Sequence, residues 1–311
     1  MTRIVNNCVA LVCLCLFWGQ SLRAADASHS EQIKWGNESV FNEEHNTLGL
    51  FSGVLGGQIV LAGGTSDDYS RWGRNAVCLS ENAGFALYED VLSKPLAYGA
   101  SITLSDGILC IGGRDSSQCY EDVFFVTMQQ GKLNVSEDWP PLPFPLSNAA
   151  GALLDNKVYL FGGRKSVSPS RLSDSFFVLD LSNKSRGWKE LPGYPGCVRE
   201  DAILVVQNNG VSPCLYLLGG QTETEEGLSS CLTDGYVYNP QLGKWSSLGS
   251  DFPKGICAAV ASGANHILLF QKEPEDTQHL KKENALWKYH TITQTRSEER
   301  RVGKECTSWC R

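Results

Sequence analysis

The sequence has few of the features that mark metal sites, redox sites or disulfide-stabilised folds. Between residues 26 and 295 there is no Cys-X-X-Cys motif and no histidine pair at the spacing of metal ligands. This range holds seven cysteines, an odd number that argues against a complete disulfide framework. Cys78 and Cys110 stand in apolar β-type runs, where cysteine is usually a small buried hydrophobe. We therefore predict no metal ion and no cofactor.

Positive charge is also scarce. Residues 26–295 hold 20 basic and 31 acidic side chains, a net charge of −11. A domain this acidic repels the phosphates of nucleic acids, so nucleic acid is excluded as a partner.

The chain has no apolar run near its start that is long enough to span a bilayer. The apolar core at residues 9–18 has about ten residues, whereas a spanning helix needs roughly 20. Arg3 precedes this core, and the small residues Ala24 and Ala25 follow it, a pattern typical of a secretory signal. We expect residues 1–25 to be a signal peptide. Because no lipobox cysteine follows, we expect no membrane anchor and a periplasmic or secreted product.

What the sequence does contain is an apolar run that ends in two glycines and occurs four times. The copies are Ile59–Gly64, Ile108–Gly113, Lys157–Gly163 and Leu215–Gly220. Their second glycines are 49, 50 and 57 residues apart. A period near 50 residues indicates a kelch-type array, in which each repeat is one four-stranded blade of a β-propeller. The predicted fold is therefore all-β.

The rest of each repeat keeps the same order. A second β-type run follows each diglycine, as in Val123–Val126 and Phe176–Leu179. Three repeats then carry a tryptophan with leucine three residues later: Trp139, Trp188 and Trp245. We expect these indoles to fill the wedge between neighbouring blades.

Counting the repeats predicts an incomplete ring. Four blades are clear, and a weak fifth begins at Pro253 with its inner strand at Ile267–Phe270. A half-repeat, Ile33–Trp35, precedes the first blade. We expect a propeller domain over 26–295, truncated from a ring that is six-bladed in the full protein.

The last residues resemble no protein element. Residues 296–306 match, codon by codon, the in-frame translation of a common sequencing-adapter oligonucleotide. We therefore interpret 296–311 as an artefact that is not native sequence, and we expect it not to pack stably on the propeller.

Arginines gather in the loops that are expected to open on one face of the propeller. Arg114 and Arg164 directly follow diglycines, Arg199 stands at the start of blade four, and blade one carries Arg71 and Arg74 in its post-diglycine loop. Guanidinium groups bind carboxylates in bidentate fashion, so the set predicts an anion site. Scattered solvated arginines, or structural pairs such as Arg114 with Asp115, are the alternative.

Carboxylates share these loops and are candidates for general acid/base catalysis. They are Asp67, Asp68, Glu200, Glu223, Glu225 and Glu226. For any one of them, a solvated acidic loop is the simpler interpretation.

The repeat phrases resemble one branch of the kelch-repeat proteins. This is the cyclically permuted mutarotase branch, also called the N-acetylneuraminate epimerase (sialic acid mutarotase) branch. The resemblance is carried by the start at Trp35, the Phe51–Gly57 phrase, the Pro95–Ser101 phrase and the Leu-Pro pairs at Leu142 and Leu191. The resemblance covers about residues 33–295. It implies interconversion of the α and β anomers of sialic acid by ring opening, with an arginine on the substrate carboxylate.

The resemblance also implies a glutamate after one diglycine and an arginine before a Thr-Asp pair. Here those positions hold Gln221 and Leu232. We expect Glu223 to stand in for the catalytic acid and Arg199 for the catalytic cation, with Arg164 as the other candidate cation. Arg71, Arg114 and Arg164 are predicted to bind the substrate, and Arg114, Arg164 and Arg199 to converge at the channel mouth.

Three functions remain open at this point. The first is an isomerase acting on a small sugar acid, and the second is a noncatalytic kelch module that binds a glycan or a protein, for which Tyr69 and Trp72 supply rim aromatics. The third, a copper radical oxidase, would need a Tyr/Cys/His set whose spacing is not visible. A homodimer is compatible with each.

Overall fold

The architecture is that of an all-β propeller with five blades, which confirms the predicted fold class. A computed structural model describes residues 48–80, 84–224, 227–271 and 286–299. The signal region, the half-repeat at Ile33–Trp35, and Glu225 and Glu226 lie outside the described residues. Within the described ranges, no helix is long and apolar enough to cross a membrane.

Each blade is an antiparallel sheet of four strands in simple up-and-down order. Blade one contains β1 (Phe51–Leu55), β2 (Gln58–Ala62), β3 (Ala76–Ser80) and β4 (Gly84–Tyr88). Blade two contains β5 (Ala100–Thr103), β6 (Ile108–Ile111), β7 (Val123–Gln129) and β8 (Lys132–Ser136).

Blades three and four carry an extra two-stranded hairpin after the diglycine. Blade three runs through β9 (Ala150–Leu154), β10 (Lys157–Phe161), the hairpin β11 (Arg164–Ser166) and β12 (Arg171–Leu172), β13 (Phe176–Asp180), a short 3-10 helix (Leu181–Arg186) and β14 (Lys189–Glu190). Blade four runs through β15 (Ile203–Asn208), β16 (Pro213–Leu218), the hairpin β17 (Gln221–Glu223) and β18 (Ser229–Cys231), β19 (Gly235–Asn239) and β20 (Lys244–Gly249).

Blade five is complete, with strands β21 (Ile256–Ser262), β22 (His266–Gln271), β23 (Leu286–His290) and β24 (Thr295–Glu299). The expectation that residues after Thr295 would not pack is therefore wrong for 296–299. Arg296 also binds Asp251 at 3.1 Å and stacks on Phe252 at 4.2 Å. An outermost strand needs mainly backbone hydrogen bonds, so it accepts almost any sequence. The artefact interpretation of 296–311 stays a prediction.

The core lies between consecutive blades. Four clusters of buried apolar side chains join blades one and two, two and three, three and four, and four and five. The diglycine strands are buried on both faces, as continuous apolar runs predict. The tryptophans fill the wedges: Trp245 of blade four packs on Phe176 of blade three at 5.0 Å, and Trp188 of blade three donates to the Pro140 carbonyl of blade two.

The first strands of successive blades, β1, β5, β9, β15 and β21, contact one another in order and so form the inner side of the propeller. The first three diglycines link their blade to the next, as where the Gly163 amide donates to the Arg199 carbonyl at 2.8 Å. Gly162 has φ 68°, and a Cβ there would lie 2.6 Å from the same carbonyl oxygen. Only glycine fits such a close approach in the left-handed region.

Candidate functional site

Four equivalent residues form a row at one end of the innermost strands of blades one to four. Gly49, Tyr98, Asn148 and Asp201 each stand two residues before the innermost strand of their blade. All four have φ between 52° and 64°. Their backbones are linked in series, because the amide of Tyr98 donates to Gly49, that of Asn148 to Tyr98, and that of Asp201 to Asn148. We refer to these four residues as the mouth ring.

The residues that follow the diglycines lie beside the mouth ring. Arg114 forms a two-way backbone bridge with Ala97, and Arg164 forms the same bridge with Ser147. Ala97 and Ser147 immediately precede Tyr98 and Asn148 of the mouth ring. The predicted equivalence of Arg114 and Arg164 in adjacent blades is therefore confirmed.

Arg114 is held by aromatic rings instead of a carboxylate. Its guanidinium lies 4.6 Å from the Tyr98 ring centroid and 5.2 Å from that of Trp72. In the described ranges no carboxylate forms a salt bridge with it, and its hydrogen bond to the Asp115 carbonyl is long, at 3.4 Å. The alternative pairing with the Asp115 carboxylate does not form, because that carboxylate accepts from Ser117, Gln118 and Tyr120. Arg114 is thus a cation without a carboxylate partner among the described residues, so its guanidinium can bind an anionic ligand.

Arg164 is already engaged with two carboxylates. Its Nε donates to Glu200 Oε2 at 2.8 Å, and its Nη2 reaches Glu200 Oε1 and Glu223 Oε1. Ser170 accepts from Arg164 at 2.6 Å and donates to Glu223 Oε1. The hydrogen bonds to Glu200 are the largest cause that raises the pKa of Arg164 above its ordinary value. The structure therefore brings together Arg164 and Glu223, with Glu200 as the partner that the sequence did not pair with them.

Arg199 belongs to the blade packing, and the prediction that it converges with Arg114 and Arg164 is wrong. Its side chain is fully buried and forms a bidentate ion pair with Asp234, at 2.7 and 2.8 Å. It also donates to the Tyr194 hydroxyl and the Gly219 carbonyl, each at 2.8 Å. The reason lies in the register, because Arg199 occupies the inward position that Leu96 and Leu146 hold at the starts of blades two and three.

Of the two arginines of blade one, Arg74 lies apart from this arrangement. Arg74 forms its ion pair with Asp90, which follows β4 near the outer edge of the blade. Arg71 is exposed, and its carbonyl oxygen accepts from Thr65 and Ser66. A substrate-binding role for Arg71 stays a prediction.

Asp201 is the titratable member of the mouth ring. Its residue is exposed to solvent, and desolvation by the neighbouring protein is the main cause that raises its pKa to about 6. A hydrogen bond from Asn148 Nδ2 at 2.9 Å and the charges of Arg164 and Arg114 oppose the rise, while the charge of Glu200 adds to it.

The sequence pattern had not singled out Asp201 or Asn148. The available signal was their constant offset, two residues before the first strand of a blade, which they share with Tyr98 of the Pro95–Ser101 phrase.

The two positions at which the resemblance implies a glutamate and an arginine lie on the blade-four hairpin. Gln221 begins β17, bridges Glu200 through the backbone and accepts from Ser229. The Leu232 amide donates to Gly220. Across the described part of the chain, no three His, Cys, Asp or Glu side chains group so as to hold a metal ion.

Comparisons with known proteins agree with this architecture. The family model described as N-acetylneuraminate epimerase matches residues 139–273, which include blades three and four, Asn148, Arg164 and Asp201.

Individual relatives match a similar length of chain. N-acetylneuraminate epimerase of Yersinia pestis (strain Pestoides F) is 30% identical over 139 residues, covering 43% of this chain and 33% of that protein. N-acetylneuraminate epimerase of Haemophilus influenzae (strain PittEE) is 31% identical over 131 residues, covering 42% and 32%. A kelch domain-containing protein of Vibrio cholerae is 30% identical over 141 residues, covering 44% and 36%.

The matches thus span about a third of the length of these relatives. Five blades, four diglycine repeats and this family match lead to one conclusion: the chain folds as a kelch-type propeller that is similar, over residues 139–273, to the N-acetylneuraminate epimerases.

Proposed function

We propose that this protein binds a sialic acid at the channel mouth and interconverts its α and β anomers. The observation that carries the proposal is Arg114, a guanidinium set over two aromatic rings with no carboxylate partner in the described ranges. Residues 26–295 have a net charge of −11, so an anionic sugar needs a local cation of this kind.

The surroundings of Arg114 suit a sugar acid. Trp72 and Tyr98 offer ring faces that lie 6.4 Å apart between centroids, and Tyr69 is half exposed beside them. Rings of this kind pack against the C–H faces of a pyranose, while Arg114 takes the carboxylate. Arg164 contributes less to anion binding, since Glu200 and Glu223 neutralise it.

The proposed reaction opens and recloses the sugar ring. A base takes the proton of the anomeric hydroxyl, the bond from the anomeric carbon to the ring oxygen breaks, and the ring oxygen takes a proton. Reclosure on the other face of the keto group gives the other anomer. Glu223 is one candidate for the acid in this reaction. Arg164 and Ser170 both bond to its Oε1, whereas its Oε2 has no hydrogen bond among the described contacts and is left for the sugar.

The test is anomer equilibration of freshly released α-sialic acid, followed by NMR against the spontaneous rate. Affinity is measured separately by calorimetry with the methyl glycoside, which cannot open. Arg114→Gln should weaken binding roughly 10- to 150-fold, because a bidentate Arg–carboxylate contact contributes about 1.5–3 kcal/mol. Arg186→Gln, on the exposed 3-10 helix of blade three, is the matched control and should bind as the parent does.

The second candidate is a noncatalytic kelch module that binds a glycan or a protein. Gln221 and Leu232 favour it, since they stand where the resemblance implies a glutamate and an arginine. Binding of the methyl glycoside without any acceleration of equilibration would establish this alternative. Export to the periplasm or beyond, through residues 1–25, is part of the proposal in either case.

A further inference from the structure

Asp201 is the mouth-ring carboxyl that is not committed to an ion pair. Asn148 Nδ2 donates to its Oδ1 at 2.9 Å, and no salt bridge to it occurs in the described part of the chain. Glu200 and Glu223, by contrast, both bond to Arg164. Of the three neighbouring carboxylates, Asp201 therefore keeps most of its lone pairs for a ligand.

Asn148 adds a second, independent indication of a ligand. Its Oδ1 is buried and has no hydrogen-bond partner among the described residues. A buried acceptor without a partner is costly and rare in folded proteins, and a functional role is one explanation for it. The amide lies between Tyr98 and Asp201 in the mouth ring, so this unsatisfied acceptor and the Asp201 carboxyl belong to the same polar end of the blades.

Charged and titratable groups face Asp201 from several elements. Tyr98 lies in the mouth ring, Arg114 follows the blade-two diglycine, Arg164 begins β11, and Glu200 is its chain neighbour. The two arginines favour the ionised form, and Glu200 disfavours it. A sugar carboxylate on Arg114 would therefore be bound within electrostatic reach of Asp201.

We propose that Asp201 is a catalytic residue that takes the proton of the anomeric hydroxyl, and that Asn148 is the positioning residue that orients its carboxylate. This proposal rests on the proposed function, since it names the base of that same site.

The step balances with water as the only co-reactant. The anomeric O–H bond breaks and its proton goes to the Asp201 carboxylate. The electron pair forms the carbonyl while the bond to the ring oxygen breaks, and the ring oxygen takes a proton from a channel water. On reclosure the ring hydroxyl returns its proton to solvent, the carbonyl oxygen becomes the new anomeric oxygen, and Asp201 returns its proton to it. No atom or electron is gained or lost overall.

The protonation state suits this role. A carboxyl with pKa about 6 is mostly ionised at neutral pH, yet it is a stronger base than an ordinary aspartate near 3.9. Acceleration should therefore fall as the pH is lowered through about 6, because protonated Asp201 cannot accept the proton.

The experiment compares Asp201→Asn with Asp155→Asn. Both positions have a left-handed backbone, with φ 52° and 49°, and asparagine tolerates that region. Asp155 lies in the β9–β10 hairpin, at the far end of the strand that begins near Asn148. Asp155→Asn therefore controls for the chemical change and for the backbone without touching the site.

Anomer equilibration is measured by NMR from pH 5 to 8, and methyl glycoside affinity is measured at pH 7. In Asp201→Asn we expect the acceleration over the spontaneous rate to fall about 10²- to 10⁴-fold, the usual contribution of a general base, with glycoside affinity retained. Asp155→Asn should match the parent in rate and pH profile.

The outcomes separate the two proposals. A parent protein that binds the glycoside but never accelerates equilibration overturns both the isomerase function and the role of Asp201. A parent that accelerates, with Asp201→Asn equally fast, overturns Asp201 alone. A pH profile with its midpoint near 4 in the active parent would also overturn it.

Discussion

The buried pair of Arg199 and Asp234 gives a sharp test of how the propeller is held together. The Arg199 side chain has no solvent exposure, whereas that of Asp234 is 21% exposed. Removing the carboxylate leaves a fully buried guanidinium that cannot deprotonate, so Asp234→Ser should lower the free energy of unfolding by about 3–5 kcal/mol. Removing the arginine leaves an aspartate that can still meet water, so Arg199→Leu should cost less, about 1.5–3 kcal/mol.

The double substitution should cost less than either single one. Blade three has Leu146 and Ser175 at the two equivalent positions, so the substitutions Arg199→Leu and Asp234→Ser together copy a pair that this fold already uses. Replacing a buried ion pair with apolar packing is often neutral or stabilising. Because leucine is smaller than arginine, a small cavity offsets part of the gain.

The assay is urea denaturation at pH 7 of the parent, both single variants and the double variant. Coincident transitions by circular dichroism and tryptophan fluorescence would justify two-state fits. A double variant as unstable as the sum of the two single variants would contradict the reasoning, because it would mean that the two side chains do not act as a pair. The double variant should also bind the methyl glycoside normally, since Arg199 lies in the packing and not at the mouth.

Three further predictions concern the diglycine, pH and export. Gly162→Ala should lower the free energy of unfolding by more than the roughly 1–2 kcal/mol that a left-handed alanine costs, because its Cβ would lie 2.6 Å from a backbone oxygen. Gly131 has φ 75° and open space around it, so Gly131→Ala should cost only the strain of the left-handed backbone. Equal losses of stability in thermal melts of the two variants would refute the close-approach argument. The folded state binds the Asp201 proton more tightly than the unfolded chain does, so ionisation costs stability as pH rises from about 4 to about 6. Asp201→Asn should therefore have a higher melting temperature than the parent above pH 6 and the same melting temperature below about pH 4. A difference in melting temperature that does not depend on pH would contradict this. Mass spectrometry of exported material should place the mature N-terminus between Ala25 and Ser28, whereas a soluble product that retains Met1 would count against a signal peptide.

The amino-acid sequence by itself determined the repeat and therefore the fold. Diglycines at a period near 50 residues, apolar runs of strand length and three tryptophans at one offset are local features, and each has a single structural use in a blade. The equivalence of Arg114 and Arg164 followed from the same period and needed no knowledge of contacts.

Only the tertiary structure decided which side chains form the site. The sequence grouped Arg199 with Arg164 because their loops were expected to open on one face, yet Arg199 occupies an inward position two residues before the mouth-ring residue Asp201. The pairing of Arg164 with Glu200 and Glu223 joins residues 36 and 59 positions apart, a distance that no local pattern encodes. Likewise, the raised pKa of Asp201 arises from the protein that surrounds it in the channel, and desolvation of this kind exists only once the blades have packed.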